Sequence, residues 1–338
     1  MSEITTVGLD LAKQVFQVHA VDGAGQVVVR KTLRRGQVLT FFAGLPGCLV
    51  GIEACATAHH WAREISALGH EVRLMPPQYV KAYLKRHKND AADAAAICEA
   101  VTRPSMRFVP IKTQEQQAAL TIHRTRDLLM RQRTMLINAL RGHLAEFGVI
   151  APQGPRHVVQ LIAAVRDEAE DRVPALARRV LATLVEQLEE LATRLAVVGR
   201  ELLAWHRASP ASQRLATIPG IGPVTASTLA ATVPNPAAFR SGREFAAWLG
   251  LVPAQHSSGG KARLGKISKR GDAELRRLLI IGAQAVLRWP RAVEANPWLR
   301  SLLARRPRLV VAVALANKMA RIAWAVMRRE DEFRPMAA

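Results

Sequence analysis

The sequence predicts an α/β domain followed by an all-α region, and three observations carry that prediction. Over residues 1–112, short Val- and Ile-rich runs alternate with helical patterns, as in a layered α/β fold. From Gln114 onward the apolar positions take helical spacing, and between Leu181 and Leu202 they settle into an a/d heptad seam. Beyond residue 208 the chain reads as helices punctuated by Pro and Gly. The expected division is therefore 1–112, 113–207 and 208–338.

In order along the chain, ITTVGLDLAKQVFQVHAVDGAGQVVVRKTL reads as two β-rich runs joined by a turn at Asp22-Gly23-Ala24-Gly25. A helix is expected around 36–44, then a strand in CLVGIEA, a helix in HHWAREISALG ending at Gly69, and a strand in HEVRLM stopped by Pro76 and Pro77. Residues 114–147 form a helix, with Leu120, Leu128, Leu136, Leu140 and Leu144 among its apolar positions and arginines between them. Residues 148–174, with Pro152, Pro155 and Pro174, form a connection. The seam Leu181, Leu184, Leu188, Leu191, Leu195, Val198, Leu202 steps by three and four, as a coiled coil does. It fits a helical hairpin within the chain or a contact between copies. LATIPGIGPVTASTLAAT places a PGIG turn between two helical patterns and suggests a helix-hairpin-helix. There Gly220 and Gly222 would let a phosphate approach the backbone and the amides of the next helix. After a Gly- and Lys-rich loop at 256–271, two more helices are expected near 272–288 and 308–329.

Composition narrows the function. No apolar run reaches the ~18 residues of a membrane span, and the polar start MSEITT does not read as a signal peptide, so a cytoplasmic protein associated with the nucleoid is expected. The three cysteines, Cys48, Cys55 and Cys98, form no CxxC pair and suggest neither disulfides nor a thiolate zinc site. His59 and His60 are adjacent, about 100° apart on a helix, and lack a partner at ligand spacing. A formal net charge of +21 points to a polyanionic partner, nucleic acid before membrane. The excess concentrates in residues 256–338, with 18 basic against 6 acidic side chains.

Against that charge stands HKNDAADAAAI, which places Asp90 and Asp93 one helical turn apart in a run of Ala. Two carboxylates at that spacing repel unless a cation lies between them. Read alone, the stretch is equally a solvated helix start capped by Asn89 or Asp90. Asp10 ends the first strand and Glu53 lies in the strand LVGIE. Asp is depleted in strands, and a buried charge needs a partner. Asp10, Glu53, Asp90 and Asp93 therefore form a candidate oxygen cage for Mg²⁺, with Mn²⁺ as the alternative. Such a site can activate a nucleophile and stabilise the leaving oxygen at a phosphodiester. The Ala run would let its helix pack closely on the sheet.

VGLDLAK, GIEACATAHHW, KNDAADA, the PGIG turn and SSGGKARLGKISKRG, in this order and spacing, resemble the DEDD transposases of bacterial insertion sequences, the bridge-RNA-guided recombinases related to pilin-gene invertases. The resemblance covers nearly the whole chain. It implies a ribonuclease-H-like, Holliday-junction-resolvase-like N-terminal domain, a helical coiled-coil insertion, and a small helical C-terminal domain carrying a serine nucleophile. The family's acidic positions fall on Asp10, Glu53, Asp90 and Asp93, and its serine on Ser258, with Ser257 as neighbour. It also implies a structured noncoding guide RNA, donor and target DNA, and a homo-oligomer, a dimer or dimer of dimers.

The residues themselves present Ser258 in a Gly-flanked loop followed by Lys261, Arg263, Lys266, Lys269 and Arg270, a phosphate-binding setting. Composition alone fits a linker touching the DNA backbone. A serine hydroxyl needs activation, and His256 is the one nearby base in sequence, so the carboxylate cage is the expected source and the active site is expected to be composite. The reading is an RNA-guided, metal-dependent recombinase with a transient 5′-phosphoserine link. Its rivals are a junction-resolving nuclease using metal-activated water, and a non-catalytic helix-hairpin-helix protein whose carboxylates are structural.

Overall fold

The computed structural model describes residues 3–84, 89–257, 261 and 263–334. The chain folds as two compact units that divide between Gln114 and Glu115.

The first unit is a five-stranded sheet with helices on both faces. Its elements are β1 (Ile4–Asp10), β2 (Val15–Asp22), β3 (Val27–Arg34), α1 (Val38–Ala43), β4 (Leu49–Glu53), α2 (Ala58–Ala67), β5 (Glu71–Met75), α3 (Pro77–Val80) and α4 (Asp90–Val101). Strand order is β3-β2-β1-β4-β5, with β2 antiparallel to both its neighbours and β1, β4 and β5 mutually parallel. The first β-rich stretch is thus three strands, not two. Leu11–Gln14 makes the first turn, and the expected turn closes β2–β3, where the Asp22 carboxylate accepts from the Ala24 and Gln26 N–H groups. Because strand side chains alternate, Val7, Leu9, Phe16, Val18, Val50 and Ile52 all face one side, against Phe42 of α1 and Trp61 and Ile65 of α2. The other face carries α4, seated through Ile97, Ala100 and Val101 against Met75.

The second unit is almost all helix. It holds α5 (Gln114–Ala145), α6 (Val158–Arg166), α7 (Ala175–Ala208), α8 (Pro210–Ala216), α9 (Pro223–Thr232), α10 (Gly242–Trp248), β6 (Pro253–Gln255), β7 (Leu264–Ile267), α11 (Ala273–Leu287), α12 (Pro290–Glu294), α13 (Pro297–Arg305) and α14 (Arg308–Arg329). The end of α5, α6 and the first half of α7 share a core of Leu140, Leu144, Leu161, Leu181, Val185 and Leu188. The start of the heptad seam is therefore used within the chain. Leu191 and Leu202 are buried as well, while Leu195 and Val198 are half-buried. A second core gathers α8–α11 and α13 around α14. Helix α14 is long and apolar enough, by length and composition alone, to cross a membrane. Here Val311, Ala312, Ala316, Met319 and Ala320 of that helix are core residues.

Five short helices, α3, α6, α10, α12 and α13, and the β6–β7 pair were not expected from the sequence; α6 lies in the stretch 148–174 that was read as a connection. The pair falls in the stretch read as a loop, where Pro253 pairs with Ile267 and Gln255 with Leu264. Its base is held firmly: Gly250 and Gly271 have φ of +71° and +79°, and a Cβ at Gly250 would lie 2.6 Å from the Arg270 nitrogen.

Candidate active site

Two tetrapeptides of one pattern build the site: Val7-Gly8-Leu9-Asp10 ends β1 and Val50-Gly51-Ile52-Glu53 ends β4. The strands are adjacent, parallel and in register, with Gly8 opposite Gly51 and Leu9 opposite Ile52. With a side-chain period of two, each glycine shares a face with the acid two residues on, and that face receives α4. A Cβ on Gly8 would lie 2.5 Å from the Cys98 nitrogen and 2.7 Å from its Cβ; one on Gly51 would lie 2.8 Å from Val101 Cβ. The missing side chains let the Ala-rich helix lie directly on the strands. Its N-terminus then comes to the end of β1.

There the side chains of Asp10, Asp90 and Asp93 bring carboxylate oxygens within 4.8 Å of one another. Asn89, not Asp90, is the N-cap, its Oδ1 accepting from the Ala92 N–H at 2.8 Å. The capping and cage readings of this stretch are therefore both satisfied, by different residues. The Asp10 carboxyl is pushed up to about 6, first by burial and then by the charges of Asp93, Asp90 and Glu53, against a backbone hydrogen bond from Leu11. Crowded carboxylates of this kind favour either a proton or a cation between them. Glu53 stands outside the group of three but close enough for its charge to reach Asp10. Nearby, partial desolvation of the Cys55 thiol, together with the charges of Glu53 and Asp10, raises its pKa, so it stays protonated and is no thiolate competitor. An all-carboxylate donor set fits a hard divalent ion.

The remaining site candidates lie in the second unit. Ser258 falls outside the described residues. The Ser257 hydroxyl accepts from Gln255 Nε2 at 3.0 Å and from the Arg263 N–H at 3.1 Å, closing the end of the β6–β7 pair. Lys261, Arg263, Lys266, Lys269 and Arg270 are all exposed around it. The PGIG turn does connect two helices, α8 and α9. Its glycines have different reasons. Gly220, at φ +87°, is pressed against α11 and α14, where a Cβ would meet Val286 at 2.8 Å and Met319 at 2.9 Å, so packing and backbone conformation both require a glycine there. A Cβ on Gly222 would meet open space, so the start of α9 is accessible there. His59 accepts from the Lys112 N–H at 3.2 Å, a structural contact.

Sequence reasoning singled out Asp10, Asp90 and Asp93, whose carboxylates the structure brings together, but missed the glycines beneath α4. The signal was present as the repeated Val-Gly-(Leu/Ile)-(Asp/Glu).

Comparison with known proteins gives a consistent result. A family model described as "Transposase IS116/IS110/IS902 family" matches residues 212–304, and a DEDD model described as "Transposase" matches residues 7–148. The chain is 52% identical over 335 residues to a Pseudomonas aeruginosa protein named "Probable family 20 transposase", covering 98% of this chain and 99% of that one. It is 43% identical to the transposase for insertion sequence element IS1328 of Yersinia enterocolitica, again over 98% and 99%. A more distant similarity, 29% over 130 residues, links 38% of the chain to 39% of the pilin gene-inverting protein of Moraxella bovis.

Proposed function

The chain belongs to the IS110/IS116 family of insertion-sequence transposases, and from that premise we propose that it cuts and rejoins DNA through a serine ester, with Asp10, Glu53, Asp90 and Asp93 as the metal-holding acids. The observation that carries this reading is the trio of carboxylates within 4.8 Å on a net-basic chain. The sheet order, with one antiparallel strand among four parallel ones, supports a ribonuclease-H-like first domain. The expected domains 1–112, 113–207 and 208–338 are retained as its catalytic, coiled-coil and helix-hairpin-helix parts.

Ser258 is the nucleophile. Its Oγ bonds to phosphorus, the P–O3′ bond breaks, the serine proton ends on the departing 3′ oxygen, and a 5′-phosphoserine remains. Attack by another 3′-hydroxyl reverses these events, so strands are exchanged with no external energy source. A divalent ion, when bound, would polarise the phosphate and ease deprotonation of the hydroxyl. Ser257 already accepts two hydrogen bonds, which supports its neighbour in the role. Lys261, Arg263, Lys266, Lys269 and Arg270 hold phosphates, with Gly222 at an accessible helix start. Sequence choice by a noncoding RNA and action as an oligomer follow from the family resemblance; sequencing the RNA that copurifies with the protein tests the first.

Stopping the reaction in denaturant should trap protein joined to a DNA 5′ end, with the phosphate mapping to Ser258. Ser258→Ala should lose adduct and recombination while keeping nucleic-acid binding, because one neutral hydroxyl is removed from a basic surface. Recombination without any adduct would instead support water as the nucleophile.

A further inference from the structure

The row of side chains that contains the acids continues across the sheet. Strand register places Glu53, Asp10, Gln17 and Thr32 side by side on β4, β1, β2 and β3, and behind them Gly51, Gly8, His19 and Arg30. Helix α4 covers the first half of these rows. Toward β3 it leaves a cavity of about 430 Å³, with Gln17 and His19 on the floor, Arg30 on the rim, and Ala91 and Ala92 on the wall; Lys31, opposite Val18, turns its side chain to the other face of the sheet. That volume lies within the range of about 300–1,000 Å³ typical of small-ligand pockets. Ala91 directly follows Asp90, so the cavity opens beside the carboxylate cluster.

Its chemistry is that of a polyanion site with a polar floor. Gln17 Oε1 accepts from Thr32 Oγ1 at 3.0 Å, which fixes the amide and leaves Nε2 to donate. His19 is held below its ordinary pKa by burial and by Arg30, so the cation of the groove at neutral pH is Arg30. Among the described residues it forms no salt bridge. An unpaired cation on an edge strand also serves to discourage edge pairing, yet that role does not call for a cavity or an oriented amide. Two strand spacings of about 4.8 Å separate β3 from β1, so an Arg on β3 reaches a phosphate one or two nucleotides from one held at Asp10.

We propose that this groove seats the DNA nucleotide flanking the scissile phosphate, with Arg30 on its phosphate and Gln17 and His19 on its sugar and base edge. The inference rests on Asp10, Asp90 and Asp93 being the metal centre. The groove sets the strand's direction of entry and keeps the neighbouring phosphates apart from the acids.

The test uses full-length protein and a DNA substrate whose cleaved bond has been mapped by the covalent adduct. A neutral methylphosphonate is walked through the two phosphates on each side of that bond, in parent protein and in R30Q. The parent should lose adduct formation about tenfold or more at one position, as expected for a lost charge-assisted contact. At that position R30Q should lose nothing further, while binding Mn²⁺ with parental affinity. Equal adduct formation by parent and variant, or additive losses at every position, overturns the inference. Should the variant fail to bind Mn²⁺, the parent walk decides alone, and a parent without a sensitive phosphate overturns it. Absence of Mn²⁺ binding by the parent would defeat the metal-centre reading itself, a separate outcome.

Discussion

Replacing Gly8 by Ala adds one methyl where the structure has no room. The new Cβ would lie 2.5 Å from the Cys98 nitrogen and 2.7 Å from Cys98 Cβ, and nearer still to the Ala94 carbonyl oxygen. Comfortable carbon contacts begin near 3.5 Å, so α4 must withdraw by about 1 Å. Backbone atoms of a helix cannot swing aside as a side chain can. Asp90 and Asp93 ride on that helix while Asp10 stays on β1, so the carboxylates separate by a similar distance. A misplacement of about 1 Å costs roughly a hundredfold in rate, and overpacking costs about 1–3 kcal/mol of stability. Gly8→Ala should therefore form the DNA adduct at least about a hundredfold more slowly and bind Mn²⁺ more weakly, yet keep its affinity for DNA. Gly36→Ala, whose methyl would meet open space, is the control. A Gly8→Ala protein that reacts within a factor of about three of the parent, with unchanged Mn²⁺ affinity, would refute the claim that the glycine pair sets the site.

Asp93→Asn should abolish strand cleavage while DNA affinity keeps its steep salt dependence, since 13 basic residues lie between Lys261 and Arg308 against three acids; cleavage near the parental rate in Mg²⁺ would remove Asp93 from the cage. Leu191→Glu places a charge at a position only 9% exposed and should lower stability by about 3 kcal/mol or more; a parental urea midpoint would show the position to be solvated. His123 of α5 is buried against Thr228 of α9, 3.1 Å from its hydroxyl, and burial and then Arg126 lower its pKa to about 4. The unfolded chain, near 6.5, binds more protons in that interval, so the stability that neutral His123 contributes is full above pH 6.5 and is lost as the pH falls toward 4, about 2 kcal/mol of it by pH 5. His123→Gln should flatten this part of the urea-stability profile between pH 7.5 and 5, and an unchanged slope would show that another group titrates there.

The acids were legible because each breaks a local rule: Asp10 and Glu53 sit in strands that disfavour charge, and Asp90 and Asp93 crowd one turn of an Ala helix. What brings them together was less legible, because a glycine inside a strand carries no hydrophobic signal and its meaning depends on which helix lies above it. Strand β6 and strand β7 escaped for a related reason. Their residues are mostly exposed on both faces, so the alternation that marks a strand is absent. Leu11–Gln14 contains neither Gly, Pro, Asn nor Asp, which hid the turn between β1 and β2.

Helices α10 and α13 are set by tertiary packing of Phe245 and Leu299 and by the caps Ser241 and Asn296, too few residues for a periodic pattern. Gly220 shows the converse case, a motif glycine whose neighbours are core side chains. The same residue type thus serves close packing at Gly8, Gly51 and Gly220 and leaves open backbone at Gly222, and only the three-dimensional neighbours separate the two uses. A Cβ scan follows directly: Ala at Gly8, Gly51 or Gly220 should destabilise its unit, since the added atom meets another within 3 Å at each. Ala at Gly222 should leave stability within about 0.5 kcal/mol of the parent and weaken DNA binding if a phosphate rests on that backbone. Full DNA affinity in Gly222→Ala would take the start of α9 out of the DNA-contacting surface.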